Sequence, residues 1–253
     1  MCDYKEYERI IKFQNLMMDF ELSFKSNKVY QTILEHTNQA SGIFYLNSIK
    51  SEFATIYNNN NKKQIIDLCL QNDTYGKPSV VRFNNFCMCS PSNLKYIYHS
   101  LIILSNIQTN KLYEVDIIEI GGGYGGLCFF IHNLSKLFNI KIKSYTIFDL
   151  KEVSILQKRY VKLHGIDINT YHIDDIWTLN SNSYLISNYA FSEIPNELQK
   201  QYTERILNKY ISYGFLIWNF IPLYDFIENK KIIVENERPS EVSTNKFVYI
   251  TPT

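Results

Sequence analysis

Val115-Asp-Ile-Ile-Glu-Ile-Gly-Gly-Gly-Tyr-Gly-Gly-Leu-Cys-Phe-Phe-Ile-His-Asn-Leu134 is the stretch that decides the fold. Residues 115 to 120 read as a short apolar strand, and residues 127 to 138 as a helix. Between them lies a run of glycines, which lets the backbone turn tightly and approach a ligand with no Cβ in the way. Gly121, Gly123 and Gly126 match the Gly-x-Gly-x-x-Gly spacing, which marks a nucleotide site when it follows a strand and opens a helix.

Downstream, strands and helices alternate. Strands are predicted over 143–148, 169–173, 184–188 and 215–219, helices over 152–163 and 195–210, and two closing strands over 231–234 and 247–250. This order implies an α/β fold with a doubly wound, mostly parallel, Rossmann-like sheet, whose ligands bind beyond the carboxyl ends of the strands. Upstream, residues 1 to about 70 read as amphipathic helices, Tyr7 to Phe20 among them. Asn58 to Asn61 reads as a loop between helices, and Asn72-Asp-Thr-Tyr-Gly-Lys-Pro78 as an ordered turn-rich loop. Ser90-Pro91 caps and opens a helix through about Leu104. The expected organisation is an N-terminal helical cap and substrate loop over 1–90 and a Rossmann-like domain over 91–253.

Three acids close successive strands. Glu119 precedes the first glycine by two residues, where a carboxylate repels a pyrophosphate but welcomes the sulfonium and ammonium of S-adenosylmethionine. Asp149, 30 residues on and followed by Leu150, stands where a carboxylate accepts ribose hydroxyls. Asp174 and Asp175 stand where an acid would meet the adenine amino group, with Ile176 or Trp177 against the ring. With Gly121, Gly123 and Tyr124 from the loop, these residues are the expected S-adenosyl-L-methionine site. A short-chain dehydrogenase would need Tyr-x-x-x-Lys, and none of the 20 tyrosines has lysine four residues on.

Glu119 to Gly126, Tyr145-Thr-Ile-Phe-Asp-Leu150 and Ile186-Ser-Asn-Tyr-Ala-Phe-Ser-Glu-Ile194 together resemble the sugar O-methyltransferases, a family with the class I methyltransferase fold. Asn72-Asp73, Gly76, Pro78, Ser90-Pro91 and Leu94-Lys-Tyr96 resemble that family's upstream segment. The likeness runs from about residue 70 to the C-terminus. It implies methyl transfer from S-adenosylmethionine to a sugar hydroxyl, on a free, nucleotide-linked or lipid-linked acceptor. Two departures are Lys95, where the family often has the bidentate arginine, and Asn180-Ser-Asn-Ser183, where an aspartate is usual.

Methyl transfer needs an acceptor oxygen held in line and a base for its proton. Glu193 is the preferred base, with Asn188 placing cofactor or acceptor and Tyr189 beside the substrate. The alternative for Glu193 is an acid at a helix N-terminus. His99, on the helix expected over the ligand edge, is the rival base. Asn72 and Asp73 are expected to grip sugar hydroxyls, or else to form an ordinary Asx turn.

Bulk properties narrow the classes. The net charge is +1, so no global field draws nucleic acid or acidic lipid. No apolar run approaches the ~20 residues of a spanning helix, and the N-terminus lacks a signal-peptide core. Five cysteines, an odd number, fit a reducing, cytoplasmic setting. Cys87-Met-Cys89 has no second Cys or His pair at zinc-finger spacing, so buried free thiols and no metal are expected there. A homodimer stays open. The competing functions are an inactive scaffold that binds S-adenosylmethionine and a methyltransferase for nucleic acid or another small molecule. No Asn/Asp-Pro-Pro-aromatic motif, which holds a flipped base, follows the fourth strand.

Overall fold

The computed structural model describes residues 5, 8–12, 23–34, 36–239 and 244–253. Of the helix expected over Tyr7 to Phe20, residues 8–12 are helical and the remainder lies outside the described residues. Three helices, Lys28–Ile33, Gln39–Glu52 and Asn59–Asp73, lead to a small hairpin of β1 (Val81–Arg82) and β2 (Met88–Cys89). The Asn58–Asn61 run differs from the expected loop. Asn58 is the N-cap, its Oδ1 accepting from the Asn60 and Asn61 backbone at 3.0 Å each, and Asn59 already begins the helix. The Pro91–Thr109 helix then lies against the Gln39–Glu52 helix on one side and the Gly126–Leu134 helix on the other.

Seven further strands form the main sheet: β3 (Glu114–Ile120), β4 (Lys141–Phe148), β5 (Asn169–Tyr171), β6 (Ser183–Asn188), β7 (Ile211–Trp218), β8 (Lys230–Asn236) and β9 (Lys246–Pro252). Their spatial order is β5-β4-β3-β6-β7-β9-β8. β3 to β7 are parallel to their neighbours, whereas β9 runs antiparallel between β7 and β8. The order reverses between β3 and β6, which makes the carboxyl ends of these two strands the switch point where a crevice opens.

Side-chain alternation sorts the core into two layers. Ile117, Tyr145, Tyr184, Ile186, Phe215 and Phe247 face the helices Pro91–Thr109, Gly126–Leu134 and Lys151–Leu163. Ile118, Phe148, Leu185, Leu216, Trp218 and Val248 face the helical stretch Asn196–Tyr210. A strand covered on both faces must be apolar at nearly every position, and β3 is buried from Val115 through Ile120. At the sheet margin, β8 is largely exposed and carries Lys230, Lys231 and Glu235, charges that discourage edge-to-edge pairing. No described helix is long and apolar enough to cross a membrane.

Candidate active site

A cavity of about 560 Å³ opens at the switch point. Its floor is the glycine turn. Gly121, Gly123 and Gly125 have φ of +75°, +55° and +92°, a region that costs other residues steric strain. Gly121 is also crowded: a Cβ there would come within 2.1 Å of Ala190 Cβ in the turn after β6. Tyr124 turns the opposite way, inward, where its ring is fully buried beneath Gly126.

Glu119 is 1% exposed and faces the same layer as Ile117, with its Oε2 accepting from Tyr145 Oη at 2.8 Å. Burial raises its pKa to about 8; the Tyr145 hydrogen bond opposes this shift and the nearby Asp149 charge adds to it. Asp149, at the end of β4, is held by the Leu150 backbone at 2.8 Å and by Gln157 Nε2 at 2.7 Å. Gln157 Nε2 also reaches Gly123 O at 2.9 Å, so one buried amide ties this acid to the glycine turn. Burial lifts Asp149 to about 6, against the hydrogen bonds it accepts. Two carboxyl groups shut in this way carry an energetic debt that a cation beside them would relieve.

The third acid position departs from the sequence reading. Asp174 points to solvent, 3.8 Å from Arg205 and 3.4 Å from His172 Nδ1. Asp175 Oδ2 accepts from the His172 backbone at 2.7 Å, and Ile176 is 98% exposed. None of the three lines the cavity; His172 and Ile173, one to four residues earlier, line it instead. Because β5 ends at Tyr171, two residues short of the expected Ile173, the wall falls on different side chains. Trp177 packs on Phe148 and Tyr210 in the second layer.

Asn72 and Asp73 likewise end up elsewhere. They close the Asn59–Asp73 helix, and Asn72 is 1% exposed. Its amide meets Asn93 Oδ1 at 2.5 Å and Tyr124 Oη at 3.1 Å, and its oxygen accepts from Tyr160. Lys25, also buried, donates to Asn72 O at 2.6 Å and lies 4.4 Å from the Tyr124 ring centroid. These polar groups satisfy one another beneath the glycine turn, on the far side of Tyr124 from the cavity.

Four sequence candidates do meet at the cavity: His99, Asn188, Tyr189 and Glu193. Asn188 Nδ2 and His99 Nδ1 are 3.1 Å apart. Burial, aided by Lys95, drives the His99 pKa well down, so the ring is neutral. Tyr189 adopts φ +67°, unusual for a bulky residue, and its hydroxyl donates to Glu237. Lys95 Nζ sits 4.5 Å from the Tyr189 ring centroid, a cation–π contact. Glu193 is exposed at the mouth, with Oε1 accepting from Asn219 Nδ2 at 2.9 Å.

Several lining residues escaped the sequence reading. Asn219 immediately follows β7, and the switch-point rule applied to that strand would have found it. Glu237 and Asn245 flank the β8–β9 connection and bond each other at 2.8 Å. Leu34, at the end of the Lys28–Ile33 helix, closes on the glycine turn, 3.3 Å from where a Gly123 Cβ would stand. No sequence pattern announces these three.

No family model and no curated protein sequence matches the chain. Solved structures with a similar fold include the mitomycin 7-O-methyltransferase MmcR, at 12% identity, TM-score 0.41, over 64% of this chain and 57% of that one. The CMeT domain of the citrinin polyketide synthase matches at 13% identity, TM-score 0.47, over 65% and 54%. A SAM-dependent methyltransferase from Aquifex aeolicus matches at 14% identity, TM-score 0.39, over 58% and 88%. The chain spans about half the length of the first two. These likenesses bear on neither substrate nor mechanism. Strand order, with the antiparallel β9 between β7 and β8, is that of a Rossmann-like, doubly wound and mostly parallel sheet.

Proposed function

We propose that the chain is an S-adenosylmethionine-dependent methyltransferase acting on a hydroxyl of a sugar. The observation that carries this reading is the pair of carboxyl groups, buried Glu119 and half-buried Asp149, flanking the glycine turn at the switch point. A pyrophosphate would hold Glu119 in its neutral form and gain no charge partner from it, whereas a ligand with a sulfonium and an ammonium group would draw both acids into their charged forms. Asp149 lines the cavity, where its carboxylate, an acceptor for the Leu150 backbone and Gln157, can also meet ribose hydroxyls. Ile173 and Leu150 offer apolar surface for the nucleobase.

When bound, this cofactor supplies an electrophilic methyl group whose transfer to oxygen leaves a neutral thioether. The protein's part is to place the acceptor and take its proton. Glu193, held by Asn219, is the group at the mouth suited to accept that proton. Neutral His99, bonded to Asn188, shapes the wall behind it. Sugar as the acceptor is supported by the resemblance of residues 186–194 and by the polar groups of Lys95, Tyr189, Asn219, Glu237 and Asn245 around the outer cavity. Such groups suit a ligand with many hydroxyls better than an apolar one.

Parallel calorimetric titrations with S-adenosylmethionine and NAD test the cofactor. Binding of the first and not the second is expected. Binding of NAD alone would overturn the proposal. Nucleotide-sugar acceptors assayed for methyl incorporation test the second half, and cofactor binding without turnover on any sugar would favour the scaffold reading.

A further inference from the structure

Away from the cavity, one cluster of three metal-ligating side chains occurs among the described residues: Cys69, Cys87 and Cys89. The fold assembles it from two places. Cys69 is fully buried one turn before the end of the Asn59–Asp73 helix. Cys87 and Cys89 flank Met88 at the hairpin, so strand alternation puts both thiols on one face while Met88 is 57% exposed on the other. All three sulfurs lie within 4.8 Å of one another. The tetrahedron that zinc forms with thiolates, at Zn–S of about 2.3 Å, needs sulfurs about 3.8 Å apart, so a small contraction suffices.

Asp73 supplies a second, independent observation. It follows Cys69 by four residues, hence on the same helical face. Its Oδ2 accepts from the backbone of Ser90, the residue after Cys89, at 2.7 Å. Its Oδ1 is buried with no hydrogen bond of ordinary geometry. The carboxylate lies outside the 4.8 Å grouping of the three sulfurs, and Asn93 and the Lys25 charge offset part of the cost of its burial, but an Oδ1 that lacks a well-formed hydrogen bond leaves room for a cation to draw it in. Residues two apart on one strand have Cα atoms about 6.6 Å apart, near the upper limit for a disulfide, so Cys87 and Cys89 are poorly placed to bond each other.

We propose that Cys69, Cys87, Cys89 and Asp73 form a structural zinc site. Three thiolates and one carboxylate are a donor set zinc accepts, whereas copper(I) would favour the thiolates and reject the hard oxygen. The ion would tie the Asn59–Asp73 helix to the hairpin that leads directly into the Pro91–Thr109 helix, which carries Lys95 and His99 to the cavity wall. Its function is to brace the cap.

Full-length protein, grown with added zinc and purified without chelator, is expected to carry about one zinc per chain by elemental analysis. After exchange with cobalt(II), it should show a thiolate-to-cobalt charge-transfer band and tetrahedral d–d bands. Cys87→Ser should lose the charge-transfer intensity and the bound zinc; Cys128→Ser, outside the cluster, should keep both. Asp73→Asn should keep the charge-transfer band, shift the d–d bands and release zinc more readily to a chelator. Wild-type protein with neither zinc nor a cobalt–thiolate band would overturn the proposal, even if Cys87→Ser failed to fold. Copper in place of zinc, or a disulfide within the cluster by mass spectrometry, would overturn it as well.

Discussion

The side chains of His99 and Asn188 meet at 3.1 Å, Nδ1 to Nδ2, joining the Pro91–Thr109 helix to the carboxyl end of β6. The amide donates, so the imidazole carries its proton on Nε2. Because burial and the neighbouring Lys95 hold the ring neutral, His99 is expected to show no titration near its ordinary 6.5. Nitrogen chemical shifts measured between pH 5.5 and 8 check this. Asn188→Asp brings a carboxylate to Nδ1 and should raise the histidine pKa into that window.

Asp149 is predicted to govern cofactor affinity. Asp149→Ala removes a charged acceptor and frees Gln157, which bridges to Gly123. The loss of a hydrogen bond to a charged group, about 1.5–3 kcal/mol, corresponds to a roughly 10- to 150-fold weaker Kd. Calorimetry would show it, and an unchanged Kd would remove the ribose assignment.

Glu119 should couple cofactor binding to pH. In the ligand-free protein its pKa is about 8, so near pH 7 it is mostly protonated. A bound cation favours the carboxylate, and binding at pH 7 is therefore expected to release close to one proton. Affinity should rise as pH climbs toward 8. Titrations at pH 7 in buffers of different ionisation enthalpy measure the proton count.

The same raised pKa predicts a pH-dependent stability for the ligand-free chain. The folded form holds its proton more tightly than the unfolded form. The contribution is therefore full below about 4.5, and it is lost as pH rises toward 8. Glu119→Gln keeps an acceptor for Tyr145 and has no charge to bury, so its Tm should vary less between pH 6 and 8 than that of the wild type. An equally steep fall in the variant would disprove the linkage.

Two further substitutions separate packing from chemistry. Gly121→Ala places a methyl against Ala190 at a positive φ. Overpacking of this kind costs about 1–3 kcal/mol, so lowered Tm together with lost cofactor binding is expected. Glu193→Gln should bind cofactor normally and lower kcat about 100-fold or more, the usual weight of a general base. Full activity would dismiss Glu193 and turn attention to His99.

How much was legible in the chain depends on whether the signal was local. The strand–glycine–helix passage of residues 115–134 was readable because a parallel strand buried on both faces must be continuously apolar, and because a left-handed turn calls for glycine. Glu119 and Asp149 could be placed at the crevice for the same reason: both stand at strand ends that periodicity locates. The acid run at 174–175 misled, since two residues of strand length moved the cavity wall to His172 and Ile173. Element ends depend on tertiary contacts more than on pattern.

Sequence alone determined the alternation of elements, the glycine turn and the acids beside it, since each follows from spacing within one segment. Tertiary structure decided which distant groups share a space. Glu237 and Asn245 close the outer cavity, Asn72 is spent on Tyr124 and Tyr160, and Cys69 joins Cys87 and Cys89. Such meetings depend on how helices and strands dock across the two faces of the sheet, a choice set by burial over the whole chain and inscribed in no single stretch of it.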